Sequence, residues 1–294
     1  MVNPEGEPAA PRSVTLLLHC PLRLGLAAKL TQFVYAHEGR ILYHDQYVDA
    51  ESQHYYTRLK WDVSRFSLAD SEVTEQLRVL IGEGEETLWS LHYSDEVLRM
   101  AIFVSQEPWC LYDILARSHS GEWNVAVPII VGNHPDLEPV AKQFGVEFHN
   151  FAVSKEIKDE VEEGELALLR KHRIDLVVLA RYMQILSGRF VQAYPNRIIN
   201  IHHAFLPAFP GARPYHSARK RGVKIIGATS HYVTETLDAG PIIAQDVLRV
   251  THRHSVADLI RFGRDLEKVV LSRAIGSHIR RKIIVHQGRT VVFD

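Results

Sequence analysis

Hydrophobic and polar positions alternate in two distinct regimes along the chain. From Ser13 an apolar run of strand length, Ser13–His19, meets a turn over Cys20–Gly25 that carries a proline and a glycine. Leu26, Leu30, Phe33 and Val34 then recur at helical spacing through Leu26–His37. Arg40–Val48 and His54–Trp61 predict two strands joined by the polar turn Asp49–Gln53. Ser71–Ile81 places Val73, Leu77 and Leu80 on one helical face, and Thr87–Tyr93 predicts a last strand. The order β-α-β-β-α-β, in about 80 residues, is the ferredoxin-like arrangement, which normally sets its helices on one face of the sheet.

A second regime begins near Glu96. The short apolar runs Arg99–Ser105, Val125–Gly132, Asp175–Ala180 and Arg197–Ile201 alternate with amphipathic segments. Runs so uniformly apolar predict parallel strands buried on both faces, hence a doubly wound, Rossmann-like α/β domain with a mostly parallel sheet. Ser154–Arg173 predicts a helix, with Glu156, Asp159, Glu160, Glu162 and Glu163 early and Arg170, Lys171 and Arg173 late, as the macrodipole favours. This charge run reads as a solvated face, and Gly164 weakens its middle. Lys224–Val233 and Pro241–Val250 predict strands, Ser255–His278 a long helix, and Lys282–His286 with Thr290–Phe293 a closing hairpin around Gln287-Gly288-Arg289. The expected division is a flexible tail over 1–12, a first domain over 13–93, a linker over 94–97 and a second domain over 98–294.

Charge and composition narrow the ligand. With 34 Lys+Arg against 35 Asp+Glu and a net charge of −1, no excess of cations is present to hold a nucleic acid by counterion release. The two cysteines, Cys20 and Cys110, exclude a disulfide framework and a four-thiolate zinc site and suit a reducing cytoplasm. Val14–Leu18 ahead of Cys20 is a poor export signal, because Glu5 and Glu7 precede it and bulky His19 stands before the cysteine. No run approaches the roughly 20 apolar residues that span a bilayer, so no membrane partner is expected.

There is no G-x-S-x-G elbow, H-E-x-x-H, Walker loop or complete G-x-G-x-x-G. The richest segment is Asn200–Gly211, where a strand delivers Asn200 and His202 two residues apart on one side, with Ile201 and His203 on the other. An amide donates to a developing oxyanion, and an imidazole exchanges protons near neutral pH. The same pair also reads as a strand-capping amide and a hydrogen-bonded core histidine. Asp238, in the polar loop Thr234–Pro241, is ordinary turn chemistry alone and completes an amide, imidazole and carboxylate set when joined to the pair. His231 enters that loop on a strand and is either a network member or a satisfied strand histidine. His202-His203 does not suggest a metal, since strand neighbours point oppositely and no further ligand has a usual spacing. Arg213, Lys220, Arg221 and Lys224 read as a solvated helix first and a contact for an anionic substrate tail second.

Asn200-Ile201-His202-His203 with Leu206-Pro207, Pro210-Gly211 and Leu237-Asp238-Ala239-Gly240-Pro241 resembles the formyl-folate transferase and hydrolase family. Leu179–Ser187 is similar to its folate-pocket segment. The histidine doublet, Arg213-Pro214-Tyr215-His216 and Gly227–Val233 resemble the 10-formyltetrahydrofolate deformylases in particular, and the N-terminal module resembles their ACT domain. The resemblance covers nearly everything after the tail. It implies hydrolysis of 10-formyltetrahydrofolate to tetrahydrofolate and formate, with the folate as substrate and no cofactor. It makes Asn200 the formyl-oxygen donor, His202 the partner of the tetrahedral species and Asp238 the carboxylate that tunes His202 and positions water. The backbone of Met183, Gln184 and Leu186, with the loop from Val233 and Thr234 to Asp238, would hold the pterin, and His203 and His231 would support. It further implies a homo-oligomer and a glycine or methionine effector at the ACT-like domain. Two positions depart from the pattern: Ala204 replaces a small hydroxyl residue, and Leu22 replaces an acidic residue in the effector loop. The rival enzyme reading is formyl transfer to an amine such as glycinamide ribonucleotide. A tRNA acceptor fits less well, given the neutral charge and no further domain after the α/β region. The non-enzyme rival is an amino-acid sensor with a decayed α/β domain.

Overall fold

A computed structural model describes residues 11–207 and 214–294. The expected tail before Pro11, Ala208–Gly211 of the histidine-bearing segment, and Arg213 lie outside the described residues. The chain divides into two compact units. Of the described residues, the first holds those up to Glu96 together with 281–284 and 291–294, and the second holds those between 97 and 280 together with 285–290. The closing strand pair, assigned from sequence to the second domain, therefore contributes residues to both.

The first unit is the expected β-α-β-β-α-β module: β1 (Ser13–Pro21), α1 (Leu26–Ala36), β2 (Arg40–Asp49), β3 (His54–Asp62), α2 (Asp70–Ile81) and β4 (Leu88–Tyr93). Its antiparallel sheet has the order β2-β3-β1-β4. Val14, Leu16, Leu18 and Cys20 alternate along β1 onto the face that packs against Leu26, Leu30, Phe33 and Val34 of α1 and Val73, Leu77 and Ile81 of α2. The opposite face is covered as well, because Leu17 and Tyr56 pack with Ile284 and Phe293. That is why β1 is buried on both faces. Arg12, placed in the tail by sequence, is instead fixed: it bonds Asp70 at 2.6 Å and Asp95 at 2.9 Å, and its backbone carbonyl accepts from Val63.

The second unit runs β5 (Leu98–Val104), α3 (Trp109–His119), β6 (Val125–Gly132), α4 (Glu138–Gln143), β7 (Glu147–Asn150), α5 (Lys158–Lys171), β8 (Leu176–Leu179), α6 (Gly188–Ala193), β9 (Ile198–His202), α7 (Pro214–Arg221), β10 (Ile225–Tyr232), β11 (Ile242–Arg249) and α8 (Val256–Ile279). The closing strands are β12 (Ile283–His286) and β13 (Arg289–Val292). The seven-stranded sheet has the order β11-β10-β9-β8-β5-β6-β7. Strands β7, β6, β5, β8 and β9 are parallel, and β10 and β11 run antiparallel to their neighbours. All four residues of β8 are buried, as a central strand between helical layers requires. Phe103, Val131, Leu166, Leu169, Val177 and Phe190 share the core under α5 and α6. No helix among the described residues is long and apolar enough to cross a membrane.

One expectation fails in this unit. The sequence predicts a solvated face for the acidic run, yet Glu162 and Glu165 of α5 are buried. Their carboxylates reach across to the segment after β8: Glu165 Oε1 accepts from Tyr182 Oη at 3.0 Å, and Glu162 Oε1 accepts the Ser187 N–H at 2.9 Å. Burial pushes the Glu165 carboxyl up to about 7.

Candidate active site

The carboxyl ends of β8 and β9 open into a cleft of about 340 Å³, within the range of small-molecule sites. All ten residues singled out from sequence line it: Met183, Gln184, Leu186, Asn200, His202, His203, His231, Val233, Thr234 and Asp238. Strand register brings most of the polar set together. On β9 Asn200 pairs with Leu179 of β8 on one side and with His231 of β10 on the other. A register shift between Ser230 and His231 interrupts the β10–β11 ladder, a distortion that re-aims side chains at functional edges.

His231 is 2% exposed and its Nδ1 lies 2.9 Å from the Tyr232 carbonyl oxygen, an acceptor only, so Nδ1 carries the proton. Its Nε2 then accepts, and the group 3.4 Å away is Asn200 Nδ2. This orients the Asn200 amide, leaving its second N–H for a ligand. The backbone carbonyl of Asn200 accepts separately from Ser230 Oγ at 2.9 Å.

His202 Nδ1 lies 3.3 Å from Asp238 Oδ2, and His231 Nε2 lies 3.7 Å from Oδ1 of the same carboxylate. The His202 Nδ1–H therefore faces the carboxylate, and Nε2, buried with no hydrogen-bond partner among the described residues, carries the lone pair. Burial lowers the His202 pKa most, Asp238 opposes that fall, and His231 and Arg181 add to it. The ring is thus held neutral at neutral pH. Asp238 sits at a left-handed φ of 54°, two residues before Gly240. A Cβ at Gly240 would collide with the Tyr232 carbonyl, so the close return of this loop requires glycine.

His203 does not turn to the opposite side. β9 ends at His202, and the two imidazoles stack with centroids 4.9 Å apart and planes 16° apart. Stacked rings do not converge on a common ion. The Met183 N–H is already engaged by Ser105 Oγ at 3.0 Å, so a ligand there would have to use another group of that residue. Ala204, the departure from the family pattern, is served by its backbone: Thr229 Oγ1 donates to its carbonyl at 2.9 Å and accepts the Leu206 N–H at 3.0 Å. Lys220, Arg221 and Lys224 are exposed, as a solvated helix end would be.

Residues 98–275 match the formyl transferase family. A relative from Synechocystis, a formyltetrahydrofolate deformylase, is 51% identical over 281 residues, which is 96% of this chain and 98% of the relative. The Bacillus subtilis formyltetrahydrofolate deformylase is 41% identical over 95% of this chain and 93% of its own. The crystal structure of the Pseudomonas syringae pv. tomato formyltetrahydrofolate deformylase aligns with a TM-score of 0.94 at 39% identity, covering 97% of this chain and 96% of that one. The chain belongs to the formyltetrahydrofolate deformylase family. The similarity to transferases is more distant: glycinamide ribonucleotide transformylase 1 of Symbiobacterium toebii aligns at a TM-score of 0.63 and 30% identity over 70% of this chain.

Behind the histidines of this deformylase-family site lies a buried network that sequence reasoning missed. Arg181, at φ 63°, donates from Nη1 to His203 Nδ1 at 3.0 Å and sets Nε 3.7 Å from Glu267 Oε2. Glu267 of α8 is 2% exposed and also accepts from Trp109 Nε1 at 3.1 Å and Tyr215 Oη at 3.2 Å. Gly263, one turn earlier on α8, leaves room for Tyr215, whose hydroxyl a Cβ there would strike. A signal was present: Glu267 stands at a core position of α8, between buried Leu266 and Val270, where a charge demands a partner. The partner, Arg181, lies too far away in sequence for periodicity to reveal.

Proposed function

We propose that this protein hydrolyses 10-formyltetrahydrofolate to tetrahydrofolate and formate. The observation that carries the reading is the convergence of the Asn200 amide, the neutral His202 ring and the Asp238 carboxylate on one cleft, in a chain 51% identical to a deformylase. The free Asn200 N–H stabilises the formyl oxygen as it becomes an oxyanion. His202 Nε2 takes a proton from water as the water oxygen bonds to the formyl carbon. When the C–N10 bond breaks, the same proton passes to N10, and formate and the secondary amine leave. Asp238 holds the His202 tautomer through Nδ1 and stabilises the imidazolium between the two transfers. Every step uses groups of the chain, so the folate enters as substrate and no cofactor is invoked.

In this reading Met183, Gln184, Leu186, Val233 and Thr234 hold the pterin, with His203 and His231 in support. The balanced net charge suits a small anionic substrate, and the two free cysteines suit a cytoplasmic enzyme. Asn200→Ala, His202→Ala and Asp238→Ala should each lower kcat by about 10²–10³ while substrate binding changes little. Wild-type turnover in the Asp238 variant would remove its role.

The second unit is the catalytic domain of this proposal and the ferredoxin-like first unit its ACT-like regulatory domain, binding glycine or methionine in a homo-oligomer. Leu22, exposed in the loop after β1, is the feature that weighs against an effector. Calorimetry with each amino acid should give saturable heat for one of them. No heat with either, together with unchanged kinetics, would contradict the regulatory role.

A further inference from the structure

Two buried imidazole nitrogens outside the cleft have no role in the proposed hydrolysis. Glu147 and His149 occupy alternate positions on β7, the edge of the seven-stranded sheet, and so share one of its faces. His172, which ends α5, approaches the same face. Glu147 Oε1 lies 2.9 Å from His149 Nε2, and Oε2 lies 3.9 Å from His172 Nε2. The two rings are 6.3 Å apart at 66°, and the three ligand atoms all fall within 4.8 Å of one another.

Both Nε2 atoms are buried without a hydrogen-bond partner, whereas the Glu147 carboxylate is half-exposed. A buried ring nitrogen left unbonded calls for an explanation. At 2.9 Å the Glu147 oxygen is near enough to bond His149, yet it lies off the line that a hydrogen bond needs. A carboxylate flanked by two such nitrogens is a three-donor set, with two donors on one strand and the third from a neighbouring element. We propose that Glu147, His149 and His172 form a site for a divalent transition-metal ion, best matched by Zn2+. Imidazole donors favour zinc over the all-oxygen cations, and three protein ligands leave a fourth position for water. Bonds of about 2.0–2.1 Å place tetrahedral donors about 3.4 Å apart. Closing the site from a span of up to 4.8 Å therefore needs a small rearrangement of the two rings together with the exposed Glu147 carboxylate. The bound ion would tie edge strand β7 to the end of α5.

The test is calorimetric titration of the untagged, chelator-treated full chain with Zn2+, with Co2+ as a spectroscopic probe. One equivalent should bind, and Co2+ should show the visible bands of a tetrahedral site. Glu147→Gln and His172→Gln should each weaken binding by at least about a hundredfold, the upper end for loss of a mere supporting contact. The Glu147 variant alters a half-exposed side chain and keeps the test valid if the His172 variant misfolds. Absence of saturable uptake overturns the proposal. So does uptake unaffected by both substitutions, or uptake abolished by His203→Gln, which would place the ion in the cleft.

Discussion

In the proposed hydrolysis His202 combines two demands that usually conflict: its ring must be neutral to accept a proton and must sit beside a carboxylate that favours the cation. The balance falls to the neutral form because burial, His231 and Arg181 together outweigh Asp238. Turnover that needs the neutral ring is lost as pH falls through the His202 pKa. Arg181 lowers that pKa, so removing its charge should raise it and move the acid limb of kcat to higher pH. The double variant Arg181→Met/Glu267→Gln makes the test without stranding the buried carboxylate. An unshifted acid limb in a folded double variant would show that Arg181 does not tune the ring. Asn200 and His202 were legible in sequence because a strand of known period puts them on one side. The His203 orientation was not, because the strand ends one residue too early for that period to apply.

At the scale of elements, the site depends on how β10 enters and leaves the loop that carries Asp238. The Tyr232 N–H bonds the Pro241 carbonyl at 2.9 Å, and Gly240 lets the chain return that closely. Gly240→Ala should cost about 1–3 kcal/mol in urea unfolding, as overpacking does, and should lower kcat by displacing Asp238. Wild-type stability with wild-type turnover would mean the loop tolerates the collision. The strands and the long helix α8 were readable because burial on both faces and a Ser255–Asp258 capping box leave strong local marks. The closing hairpin was equally plain from Gln287 and Gly288, both at positive φ. Short α4, β7 and α6 escape the sequence because their four to six residues mix polar and apolar positions, whereas four-residue β8 is wholly apolar. The acidic helix misled for a different reason: Glu162 and Glu165 are buried to serve the backbone of Ser187 and the hydroxyl of Tyr182, which are distant in sequence.

Across the whole molecule, the ferredoxin-like unit and the α/β unit were separable from the change in hydrophobic pattern near Glu96. What no local pattern carried is that residues 281–284 and 291–294 return to the first unit, where Ile284 and Phe293 cover the sheet face opposite its helices. The proposed hydrolysis lies wholly in the α/β unit, whose cleft would supply a base, an oxyanion donor and an orienting carboxylate. That assembly also suits transfer of the formyl group to an amine, so the choice between hydrolysis and transfer rests on the nucleophile. The most direct measurement is incubation of the purified full chain with 10-formyltetrahydrofolate and no amine acceptor. Catalytic release of formate equal to the tetrahydrofolate formed is expected. Formate-free mixtures, or formyl loss only after an amine is added, would contradict it.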